Sequence, residues 1–207
     1  LVAREAATVE EPSTAIAFPE RVAVPDTKLE LRLTGLAVHT RSLFNVRWYA
    51  LGLYVETEGA CTALAKWRSA SSVKIQTDEA FFQAVKEGKF VKELRIVLAR
   101  EVPAAELGES FHENLAPRVR RAQRAMDDDG APQALERFRA LFGDEVLPAG
   151  TTFSFTWHLD GKLVVRRQGE PVAKVASPGL CWALFDVYLG RTPLSKSAKR
   201  RLVRQMP

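Results

Sequence analysis

TTFSFTWHLDGKLVVRRQGEPVAKV, residues 151–175, reads as three strands in succession. Phe153, Phe155 and Trp157 alternate with Ser154 and Thr156, the period-two pattern of a strand with one buried face. Asp160-Gly161 has the residue types of a type I′ hairpin turn, and Gly169-Glu170 makes the next reversal. A meander follows, so the sheet that contains it is antiparallel at least at this end.

Upstream, LELRLTGLAVHT (29–40) reads as a strand interrupted at Gly35, and SLFNVRWYALGLYVE (42–56) as a longer one, with a turn expected from His39 to Ser42. SSVKIQ (71–76) reads as a short strand, and KELRIVLAREV (92–102) as another, buried through Leu94, Ile96 and Leu98. Helical signals fall between and after them. TALAKWRSA (62–70) is a short helix, and TDEAFFQAVKEG (77–88) a second with Thr77 as its cap and Gly88 as its stop. Pro103 opens a long helix with Leu107, Phe111, Asn114 and Leu115 on one side, which Pro117 is expected to bend or break. APQALERFRALFG (131–143), PGLCWALFDVYLG (178–190) and SKSAKRRLVRQM (195–206), capped by Ser195, complete the set. The pattern predicts an α+β domain, a large, mostly antiparallel sheet covered by helices, over residues 28–207. Residues 1–27 mix Ala, Glu, Pro and Thr without a period and read as an N-terminal tail or extended arm.

At 207 residues, one core is expected rather than two. The net charge of +5 is concentrated in RVRRAQR (118–124) and KSAKRRLVR (196–204), which read as solvated helix faces, so no nucleic-acid partner is expected. Cys61 and Cys181 have no metal-ligand spacing, and Cys181 in LCWALF reads as a small buried residue. No apolar run approaches the roughly 20 residues of a membrane span. The chain starts at Leu1 without an apolar signal core, which leads us to expect that a leader has been removed. No nucleophile elbow, P-loop, zinc-helix or dinucleotide fingerprint is present.

Taken in order, LTGLAVHTRSLFNVRWYALGLYVE, FHENLAPRV, DGKLV, ASPGL, ALFDVYLG and LSKSAKRRL resemble the chalcone isomerase-like family over roughly residues 28–205. The resemblance implies an open-faced β-sandwich with a ligand cleft between sheet and helices. That family includes chalcone-flavanone isomerases, plastid fatty-acid-binding proteins, noncatalytic relatives and mitochondrial relatives reported to bind haem.

The isomerases' first-strand arginine falls here on His39, their second-strand threonine on Tyr49, their cleft-helix tyrosine near Leu107 and their late-helix polar residue near Val187. Only the cleft-helix asparagine is kept, as Asn114. The groups that would stabilise a developing negative charge are therefore missing, and no catalytic residue is assigned. Fatty-acid-binding members keep a tyrosine where Tyr49 stands and pair it with the arginine. The resemblance thus implies a noncatalytic protein that binds a long-chain fatty acid through His39, Arg41, Tyr49, Leu107, Asn114 and Val187, with His39 or Arg41 as cation. No metal is assigned. The alternatives are a haem-binding relative with His39 as axial ligand, and an isomerase of another substrate using Tyr49 and Asn114. An organelle is expected, the plastid ahead of the mitochondrion.

Overall fold

A computed structural model describes residues 7–25, 27–41 and 46–206. The chain begins with a hairpin, β1 (Thr8–Glu11) and β2 (Ile16–Pro19), followed by β3 (Arg21–Ala23), β4 (Glu30–Arg41) and β5 (Val46–Glu56). α1 (Thr57–Ala63), α2 (Ser72–Ile75) and α3 (Glu79–Glu87) lead to β6 (Lys92–Leu98) and β7 (Val102–Pro103). α4 (Ala104–Ala125) and α5 (Ala131–Arg139) precede β8 (Val146–Leu147), β9 (Thr152–Trp157), β10 (Lys162–Arg167) and β11 (Glu170–Ala176), and α6 (Pro178–Leu189) and α7 (Lys196–Leu202) close the chain.

Seven strands form one antiparallel sheet in the order β11-β10-β9-β6-β5-β4-β3. The architecture is α+β, and the open-faced β-sandwich predicted from the sequence is what the chain adopts. On β5 the alternation sends Tyr49, Leu51, Leu53 and Val55 into the main core under the helices, and Ala50 and Tyr54 into a smaller core on the other face. A cluster of Phe111, Phe138, Phe142, Phe153 and Phe155, with neighbouring ring centroids 5.4–6.3 Å apart, ties α4 and α5 to β9. Those aromatic contacts are what hold the cleft helix against the sheet.

Several local expectations change. Residues 8–23 are not a loose arm: Phe18 is fully buried in the second core, the Tyr54 hydroxyl donates to the Pro19 carbonyl at 2.9 Å, and β3 extends the sheet. The predicted turn from His39 to Ser42 is strand through Arg41, and its last residue, Ser42, lies outside the described residues. Residues 71–76 are a short helix capped by Ser71, not a strand. The cap of α3 is Asp78, whose carboxylate accepts from the Ala80 and Phe81 N–H groups, not Thr77.

At the other end of α3, the Lys92 ammonium donates to the carbonyls of Val85, Lys86 and Gly88 at 2.8–3.1 Å. α4 runs through Pro117, because Pro117 and Glu113 are both exposed and the carbonyl left without an amide partner is open to water. The type I′ turn is at Gln168-Gly169, with φ of 53° and 87°, while at the predicted site only Gly161 has positive φ, 76°. Cys61 and Cys181 are free thiols, Cys181 buried as expected. No helix among the described residues is long and apolar enough to cross a membrane.

Candidate functional site

Three elements meet over Tyr49. β5 points its ring toward the helices; α4 brings Leu107, Phe111 and Asn114 onto the facing side at i, i+4 and i+7; α6 adds Val187 and Tyr188. Four of the six predicted residues, Tyr49, Leu107, Asn114 and Val187, thus line one cavity, joined by Ser110, Phe111, Tyr188 and Leu194. It encloses about 10 Å³, no more than one water molecule needs. The cleft is closed.

Its polar centre is a pair of phenols. Tyr49 and Tyr188 stand hydroxyl to hydroxyl at 2.8 Å, both buried. Burial pushes the Tyr49 phenol well above its ordinary range and that of Tyr188 up to about 12, so both are neutral at physiological pH. Two O–H hydrogens are then present and their mutual bond uses one. Among the described residues neither hydroxyl has a further partner, so one buried donor is unspent. Asn114 spends an amide hydrogen on the Ser110 carbonyl at 2.7 Å.

The two predicted cations are elsewhere. His39, partner of Tyr49 across β4 and β5, stacks on its ring with centroids 4.8 Å apart. Desolvation, helped by the Arg41 charge, lowers its imidazole to about 4, so it is neutral at pH 7 and supplies no charge. Arg41 is exposed and lays its guanidinium over Trp48 at 4.4 Å, while Arg47 is exposed.

A titration of His39 by NMR should show a midpoint near 4. Because the unfolded imidazole titrates near 6.5, the unfolded chain binds the extra proton first, and the stability held above about pH 6.5 is lost as pH falls toward the folded value. A midpoint at or above 6.5 would restore His39 as a cation.

Sequence reasoning missed two residues. Tyr188 adjoins Val187 on an apolar helix, where only the facing phenol reveals its use. Arg118, read as part of a solvated charge run, is 8% exposed. Its spacing of four from Asn114 was the signal that it lies on the same side of α4, one turn beyond the residues that line the cavity. It donates to the carbonyls of Asn114 and Thr192 at 2.7 and 2.6 Å, and its Nε lies 3.3 Å from Asp186. Lys86 and Arg121 also reach Asp186, at 2.7 and 3.2 Å.

An α+β sandwich with a small cleft of phenols and apolar walls between sheet and helices defines a class that includes both enzymes and binding proteins. Residues 12–203 match the chalcone isomerase-like family, and the chain belongs to it. It is 28% identical over 199 residues to a chalcone–flavanone isomerase of Zea mays, spanning 92% of this chain and 85% of that one. It is 25% identical over 198 residues to fatty-acid-binding protein 1 of Arabidopsis thaliana, spanning 93% and 68%. The crystal structure of a fatty-acid-binding protein from Arabidopsis thaliana superposes with a TM-score of 0.78 at 22% identity, covering 96% of both chains, and so shares the fold. Isomerases and binding proteins stand at similar distance, so the choice between them falls to the cleft.

Proposed function

We propose that this protein is a noncatalytic member of the family that binds a long-chain fatty acid in the cleft between sheet and helices. The observation that carries the reading is the buried phenol pair with one unspent O–H among apolar walls, since a buried donor without an acceptor is costly and a carboxylate is the acceptor such a cleft would take. At the positions where the isomerases carry the groups that stabilise charge on the substrate ketone, this chain has a neutral His39 and the apolar Leu107 and Val187.

The test is displacement of a fluorescent fatty acid by hexadecanoic acid. Tyr49→Phe should weaken binding by about 0.5–3 kcal/mol with the fold unchanged, and the wild-type affinity should stay level from about pH 6 to about pH 8, because neither phenol of the cleft nor the His39 imidazole stacked behind Tyr49 titrates there. Unchanged affinity in a folded Tyr49→Phe variant, or saturable turnover of chalcone, would overturn the reading.

A further inference from the structure

An ionised headgroup taken out of water needs a cation as well as hydrogen-bond donors. His39, Arg41 and Arg47 do not supply one. Resting on the fatty-acid reading above, we propose that Arg118 binds the ligand carboxylate, and that Arg118, Tyr188 and Asn114 form a carboxylate subsite at the α4–α6 end of the cleft.

Arg118 is buried, yet its Nε has no hydrogen-bond partner, because the nearby Asp186 oxygen is within ion-pair range but out of hydrogen-bond alignment. A guanidinium carries five N–H groups. The carbonyls of Asn114 and Thr192 take one each, which leaves donors for a further acceptor. Asp186 does not depend on Arg118, since Lys86 reaches it at 2.7 Å and Arg121 at 3.2 Å. Even with Glu87, 3.9 Å from Lys86, three cations meet two carboxylates, so the cluster is positive and a further anion suits it.

Position agrees with charge. Tyr188 feels the Arg118 charge and shares the unspent phenol hydrogen with Tyr49. Thr192, held by Arg118, is two residues before Leu194 of the cleft wall. Along one side of α4 come Arg118 and then Asn114, Phe111 and Leu107 of the cavity wall, from charged through polar to apolar, at roughly one helical turn per step. A fatty acid placed on this gradient puts its carboxylate at Arg118 and its chain along Phe111 and Leu107.

The test compares hexadecanoic acid with hexadecan-1-ol on the full chain. Wild type should prefer the acid. Arg118→Gln, which leaves Lys86 and Arg121 on Asp186, should lower the acid-to-alcohol affinity ratio about tenfold or more. The alcohol should bind as in wild type. Carboxyl-labelled hexadecanoic acid on wild type gives a second measurement that needs no variant: beside a guanidinium its carboxyl should titrate below the free value, and desolvated without a cation, above it.

An unchanged ratio, an equal loss for both probes, or an upward titration overturns the subsite. Equal wild-type affinity for acid and alcohol overturns it too, while leaving a hydrophobic cleft in place. No binding of either probe removes the fatty-acid reading itself.

Discussion

Replacing Asp186 by alanine should lower the unfolding free energy by about 3–5 kcal/mol, the usual cost of stranding a buried charge. Asp186 is the one acidic residue of α6, whose stretch Leu180–Leu189 is otherwise almost wholly buried and apolar. It faces Lys86 from α3 and Arg118 and Arg121 from α4, and Lys86 and Arg118 are 2% and 8% exposed. The carboxylate therefore holds three helices together by satisfying cations that cannot reach bulk water. Without it, two like charges remain in a low-dielectric layer, where their mutual repulsion adds to the desolvation cost. Urea denaturation of wild type and Asp186→Ala measures the difference. A loss below about 1 kcal/mol would mean that water enters the cluster and that the ion pairs contribute as little as surface ones do.

A comparable loss, about 3 kcal/mol or more, is expected for Gly35→Ala, at the upper end of what overpacking costs. A methyl group there would stand 2.0 Å from the Arg201 carbonyl oxygen and 2.9 Å from that of Leu202. Both are backbone, so no rotamer change relieves the contact. β4 bulges at this point, the Thr34 hydroxyl lies 2.7 Å from the Leu202 carbonyl oxygen, and the Gln205 N–H donates to the Thr34 carbonyl at 2.7 Å. α7 is thus seated directly on strand backbone, and the substitution must either distort β4 or lift the helix. Thermal denaturation should show the loss, and limited proteolysis should show new cleavage after Lys199 to Arg204. An unshifted melting temperature would mean that α7 moves aside at little cost.

The sheet was legible because alternation is a local property: Phe153, Phe155 and Trp157, or Leu94, Ile96 and Leu98, declare a half-buried strand without reference to any partner. The cleft face of α4 was legible for the same reason, through the helical spacing of Leu107, Phe111 and Asn114. What failed depended on context. Ser72–Ile75 has strand-like composition but spans a single helical turn, too short for any period to decide. Glu10, Glu11 and Pro12 hide a hairpin whose stability comes from Phe18 docking under Tyr54, a contact no local pattern announces. Arg118 looked like its neighbours Arg120 and Arg121 because burial of a charge is decided by Asp186, far along the chain. The positive charge expected of His39 disappears through desolvation, a quantity that strand composition does not carry.

The cleft's volume of about 10 Å³ has a kinetic meaning. On the fatty-acid reading proposed above, no acyl chain would enter it until α4 or α6 withdraws from Tyr49, so the receptive form would be a minor population and the measured affinity would be the intrinsic one multiplied by that fraction. Where opening precedes entry, the observed association rate is bounded by the opening rate however much ligand is added. Trimming the phenylalanine contacts between α4 and β9 would then raise the receptive fraction while it weakens the fold. On that reading, apparent affinity and stability would be set in opposition by the same packed rings.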